Sequence, residues 1–148
     1  ERALPLYRKI GDVLGEANCI QSIGGIHFRE SRNEDARKSF ERALPLYRKI
    51  GDVLGEANCI QRIGKYLIAE DRVSEGGEQF ERANSLYQRI NDKYNLAVSL
   101  YEHGRLLKEK PGRRDEAKKR LHDAADLFEE MNLPKDVEDC KDLIAELG

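Results

Sequence analysis

A letter-for-letter internal repeat constrains this chain more than any other feature. The segment ERALPLYRKIGDVLGEANCIQ, Glu1 to Gln21, recurs unchanged from Glu41 to Gln61, and Ile23-Gly24 returns as Ile63-Gly64. A diverged third copy runs from Glu81 (ERANSLYQRINDKYNLAVSLYEHG), and a fourth half-copy follows once one residue is added near Pro111. The period is 40 residues. Periods of roughly 20–50 residues mark arrays in which each unit buries its apolar face only against its neighbours. One stacked array is therefore expected in place of several domains. Composition fits this reading, because 36% charged residues and a mean hydropathy of -0.73 are polar for a compact core, whereas every helix of a solenoid keeps one wet face.

Within the unit from Asp12 to Ile50 the apolar residues form two helical stripes. Val13, Leu14, Ala17, Ile20, Ile23 and His27-Phe28 follow the three-to-four spacing of one buried helix face. Ala36, Phe40, Ala43, Leu44, Tyr47 and Ile50 give the second, with polar Glu30 to Asn33 between them. Stop signals set the frame: Gly11, Gly51, Asn91 and Asn132 close the second helices of successive copies. Gly and Asn tolerate the left-handed conformation of a helix C-cap. Asp12, Asp52 and Asp92 follow at once as N-caps, and in the last copy Leu133-Pro134 stands there, with Pro suited to the first helical position. Pro5 and Pro45 fall inside second helices. Later copies carry Ser85 and Asp126 at that site and keep the apolar frame, so the helix is expected to continue through Pro45 with a kink.

The expected fold is all-α, a right-handed α-α superhelix of antiparallel helix pairs. A half-repeat helix over 1–11 precedes full pairs over 12–51, 52–91 and 92–132, and a capping helix covers 133–148. The opening in mid-repeat, without Met, reads as a piece of a longer array.

A net charge of -2 with both signs interspersed gives no counterion-release drive. No nucleic-acid partner is expected, and RNA binding by analogy with other helical repeats is the least favoured reading. No apolar run approaches the roughly 18 residues of a membrane span, so no membrane partner is expected. No charged-then-apolar N-terminal pattern is seen and three thiols suit a reducing compartment, so a cytoplasmic location is expected.

Candidate chemistry is sparse. Cys19, Cys59 and Cys140 occupy one repeat position and so fall in different layers, whereas zinc needs ligands converging on one point. They read as small core residues, with no metal and no cofactor implied. His27 and His103 lie on the apolar stripes of first helices and His122 on the flank of a second. With no nucleophile beside them they read as satisfied core or surface histidines. Glu34-Asp35, Asp115-Glu116 and Glu129-Glu130 read as solvated charge. Lys108, Lys110, Arg113 and Arg114 surround Pro111-Gly112 as a solubilising turn. The chain is expected not to be an enzyme.

Ile20, Ile23-Gly24, then Ala36, Phe40 and Ala43 form a pattern that returns as Ile60, Ile63-Gly64, Phe80 and Ala83, and again as Gly104, Ala117, Leu121 and Ala124. It resembles the tetratricopeptide signature of a large residue, Leu-Gly, then Ala, an aromatic and Ala. The period is longer than that family's common ~34 residues and is similar to the extended repeats of signalling adaptors and large nucleotide-switch regulators. Gly24, Gly64 and Gly104 stand where paired helices approach closely, and Gly76-Gly77, in place of Ala36-Arg37, marks the middle repeat as the softest.

The resemblance implies that first helices line a concave groove binding an extended or helical peptide. Carried over by repeat position, the groove candidates are Asn18, Gln21, Gly25, Phe28 and Arg29, then Asn58, Gln61, Lys65, Ile68 and Ala69, then Val98, Tyr101, Arg105, Lys108 and Glu109. The amides would bond a peptide backbone, and Arg29, Lys65, Arg105 and Lys108 lean toward an acidic partner. Ser22, Arg62 and Glu102 depart from the asparagine ladder of some relatives, and the carboxylate-clamp pattern is not matched. Residues 1–24 differ from 41–64 only at Ser22/Arg62, while the next sixteen share only Glu30/Glu70, Arg32/Arg72 and Phe40/Phe80. Relaxed packing or diversified recognition both account for that variable surface. The expected function is a protein–protein interaction scaffold within a larger signalling or regulatory protein. The alternative is self-association, a homodimer through terminal helices, because the Ala3, Leu4, Tyr7 and Ile10 edge lacks a preceding partner.

Overall fold

The computed structural model describes the backbone from Ala3 to Gly148 and side chains from Lys9 onward. The edge formed by Ala3, Leu4 and Tyr7 therefore lies outside the described side chains. Seven helices follow in order: α1 (Ala3–Arg29), α2 (Asn33–Lys49), α3 (Val53–Ala69), α4 (Val73–Arg89), α5 (Lys93–Lys108), α6 (Arg114–Glu130) and α7 (Pro134–Leu147). Each packs on the next, and the described chain is an α-helical repeat solenoid.

The interior turns form as their residues dictate. Gly51, Asn91 and Asn132 have φ of 71°, 56° and 56°, the left-handed conformation that ends a helix. The N–H of Asp52 then donates to the carbonyl of Tyr47 at 3.0 Å and that of Asp92 to Tyr87 at 2.9 Å. The Asp52 carboxylate accepts from the Gly55 N–H at 2.8 Å and Asp92 from Asn95 at 3.0 Å, which satisfies otherwise orphaned first-turn donors. Pro134 opens α7, and α2 continues unbroken through Pro45. The turns inside pairs use left-handed Ser31 and Asp71, at φ of 60° and 64°, which carry a weaker sequence signal than Gly or Asn.

Close helix approach explains the recurrent glycines. A Cβ at Gly24 would lie 2.7 Å from the Phe40 ring, one at Gly64 2.9 Å from the Gly76 carbonyl oxygen, and one at Gly104 2.7 Å from Leu121. Gly76 answers the same demand from the other side, since its Cβ would lie 2.7 Å from the Gly64 carbonyl oxygen.

The first turn departs from expectation. No helix ends at Gly11 and Asp12 caps nothing, because α1 runs straight from Ala3 to Arg29. The half-repeat helix of 1–11 and the first helix of the 12–51 pair are thus one element. At the identical Gly51-Asp52, the interrupted helix is offset by α2 folding over α3. Along α1 no such cover is present among the described residues, so helical hydrogen bonding simply propagates. The same lack of cover corrects the core assignment of two residues: Cys19 is exposed and Ile23 is 49% exposed, whereas Ala17 and Ile20, which cluster with Phe40 and Ala43 of α2, are buried.

The α4–α5 seam is the sparsest contact between sequential neighbours. It holds His103, which is 1% exposed and stacked on Phe80 with ring centroids 4.6 Å apart. Neither of its ring nitrogens finds a hydrogen-bond partner among the described residues, nor does the hydroxyl of fully buried Ser99. His103 is a core histidine, but not a satisfied one. Burial drives it from its ordinary 6.5 to about 4, with Arg120 and Arg113 pushing the same way and Glu116 opposing.

Candidate functional site

First helices sit on the inner side of the array. α3 touches α5 and α5 touches α7 directly, while no comparable contact joins α2 to α4 or α4 to α6 among the described residues. Stacking closer on one side than the other makes the first-helix side concave.

Two adjoining cavities lie along that side. One, of about 190 Å³, is walled by Gln61, Arg62 and Lys65 of α3, Phe80 of α4, and Val98 and Glu102 of α5. The other, of about 200 Å³, is walled by Val98, Tyr101 and Glu102 of α5, Phe128 of α6, and Asp136 and Asp139 of α7. Val98 and Glu102 wall both, so the cavities adjoin as a channel running from α3 past α5 to α7. A larger hollow of about 600 Å³ at the α6–α7 turn, lined by Leu133, Pro134 and Val137, lies apart from it.

Charge along the channel is divided. At the α3 end the Lys65 ammonium rests 4.7 Å over the Phe28 ring and the Arg62 guanidinium 5.9 Å over Phe40. Neither has a carboxylate within ion-pair distance among the described residues. Burial pulls Lys65 below the ordinary lysine range; nearby Glu102 works against this, and Arg62 and Arg105 add to it. At the α7 end Asp136 and Asp139 face Tyr101, whose hydroxyl is raised by burial and then by Asp139. Between the two ends Glu102 accepts from Arg105 at 2.6 Å.

The structure redistributes the residues expected from repeat position. Gln61, Lys65, Val98 and Tyr101 line the channel, and Phe28 supports Lys65 from α1. Asn18, Gln21 and Asn58 serve packing instead. The Tyr47 hydroxyl donates to Asn18 Oδ1 at 2.5 Å and lies 3.2 Å from Gln21 Oε1, and the Tyr87 hydroxyl donates to Asn58 Oδ1 at 2.6 Å. At the third equivalent pair both partners change together, to Phe128 and Val98. Ile68 is removed from the groove altogether: it is fully buried against Gly76 of α4. Arg105 is tied to Glu102, and Lys108 to Glu146 at 2.6 Å. Gly25 is half-buried, while Arg29, Ala69 and Glu109 are exposed and line neither cavity. The basic turn is likewise engaged, with Lys110 on Asp71 at 2.6 Å and Arg113 on Glu116 at 3.1 Å.

Repeat-position reasoning missed Arg62, Glu102, Phe80, Phe128, Asp136 and Asp139. A signal for the first was present, since position 62 is the single mismatch between the two duplicated 24-residue frameworks. Among the described residues no helix is long and apolar enough to cross a membrane. No family model matches the chain, and no curated protein does.

Proposed function

We propose that the chain is a tetratricopeptide-like scaffold whose channel along α3, α5 and α7 binds an extended peptide of another protein. The carrying observation is the pair of cations, Arg62 and Lys65, held on aromatic faces without carboxylate partners beside a cavity lined by Asp136 and Asp139. A ligand matching that division places an acidic residue at the α3 end and a basic one at the α7 end. This narrows the acidic lean of the sequence to one half of the groove. Charge complementarity of this kind sets register and direction more than raw affinity. Apolar contact with the half-buried Val98 and Tyr101 supplies the remainder. The three free thiols fit a cytoplasmic setting, and a role as one segment of a larger signalling regulator is consistent with the repeat's length.

Phage-displayed random peptides selected on the protein test this. Selection should enrich sequences with an acidic and a basic residue in fixed order, and the Arg62→Glu/Lys65→Glu variant should lose the acidic preference while keeping the basic one. Enrichment that is unchanged between the two proteins refutes groove binding.

A further inference from the structure

One sequence adopts two conformations in this chain, and the difference exposes a docking surface. Glu41–Gln61 forms a helix, a turn at Gly51-Asp52 and a second helix, whereas the same residues around Gly11-Asp12 form an uninterrupted helix. Because side-chain identity is constant, the comparison isolates what covers each copy. Cys59, Ile63 and Tyr66 of α3 are 0%, 5% and 0% exposed and share one apolar cluster with Phe40, Ala43 and Tyr47 of α2. Their repeat equivalents on α1 are uncovered, with Cys19 exposed and Ile23 and Ile26 at 49% and 44%. Glycine gives a second, independent sign. A Cβ at Gly55 would run into the Tyr47 ring, so Gly55 is a socket for that ring. At the equivalent Gly15 no described atom lies within 4 Å.

We infer that this face of α1, centred on Gly15, Cys19, Ile23 and Ile26, is a docking site for a helix with the sequence pattern of α2. The occupant's Phe and Ala, spaced as Phe40 and Ala43, cover Ile23 and Cys19, and its Tyr, placed as Tyr47, fills the socket at Gly15. Docking converts Gly11-Asp12 from helix to turn, as at Gly51-Asp52. The site is separate from the channel between α3, α5 and α7, and its test does not depend on peptide binding there.

Joining NEDARKSF, the sequence of Asn33–Phe40, ahead of Glu1 produces a chain whose opening residues repeat Asn33–Ile50 in full. Cys19 reports the outcome through its rate of reaction with a chromogenic disulfide at pH 8. Cys59 and Cys140 stay silent, being fully buried with thiols pushed up to about 12 and about 11. Extension should slow Cys19 by about a hundredfold, as expected for a thiol that reacts only on local opening. Gly15→Ala should raise Tm in the original chain, where the site is an open helix position, and lower it in the extended chain, where the tyrosine ring occupies the socket. In trans, the synthetic peptide Asn33–Ile50 should protect Cys19 of the original chain, and the same peptide with Phe40→Asp and Tyr47→Asp should not. Unchanged Cys19 reactivity with either form of the helix, or a Gly15→Ala effect of the same sign in both chains, overturns the inference. Protection of Cys19 in the original chain that grows with protein concentration and tracks dimer in sedimentation also overturns it, by making a second copy the occupant.

Discussion

Acidification should destabilise this protein through one histidine. His103 sits in the α4–α5 seam, 1% exposed, with both ring nitrogens unpartnered, and holds its proton only below about 4 against an ordinary 6.5. Below pH 6.5 the unfolded chain takes up a proton that the folded chain refuses. Stability therefore falls as pH drops from 6.5 and stops falling on this account once the folded form protonates near 4. Linkage between those two values gives a loss of about 2 kcal/mol from pH 7.5 to pH 5. That is a large share of the roughly 5–15 kcal/mol typical of a folded domain. Acidification acts on the rest of the chain as well, so the assay is a difference: urea unfolding followed by circular dichroism, for the protein and for His103→Leu, at both pH values. The variant should lose about 2 kcal/mol less than the parent on acidification. At pH 7.5 it should be at least as stable, because a buried imidazole without partners is replaced by an apolar side chain. Parallel pH dependence in the two proteins would refute the argument, showing that His103 is solvated or partnered when the seam breathes.

Two further substitutions test the packing. Asp52→Ala removes the carboxylate that accepts from Gly55 and should cost about 1 kcal/mol, while Asp12→Ala, at the identical repeat position but inside straight α1, should leave urea stability unchanged or slightly raised; equal losses would mean that both turns form. Ala43→Leu enlarges a fully buried contact between α2 and its neighbours and should cost about 1–3 kcal/mol, and an unaltered thermal melt would show that the cluster has room to spare.

The fold was largely legible because its determinants are local and repeated. Apolar spacing, the Gly-or-Asn stops and the capping aspartates each act within a few residues, and Gly51, Asn91, Asp52 and Asp92 behave as their chemistry requires. The sequence misled at Gly11-Asp12, where the same local chemistry yields another structure because the deciding term is burial by a neighbouring helix. The site was less legible for a related reason. Repeat position identifies a helix face to within about one residue, and that single-residue slip turned Ile68 into a groove residue and left out Arg62. It also could not reveal that Tyr47 and Tyr87 occupy the amide oxygens of Asn18 and Asn58, nor that α7 brings Asp136 and Asp139 into the channel, since those contacts depend on how successive layers stack.

The exchange of Tyr–Asn for Phe–Val between the repeats bears on how such an array can change. Each pair carries its own matched inner lining: hydroxyl to amide in the first two, hydrocarbon to hydrocarbon in the third. A first helix transplanted between repeats would set an asparagine carbonyl against Phe128 or a tyrosine hydroxyl against Val98, and the second takes from a buried tyrosine the amide oxygen it donates to. The unit that keeps this lining matched when shuffled is thus the whole helix pair, and the groove surface changes in steps of one pair at a time.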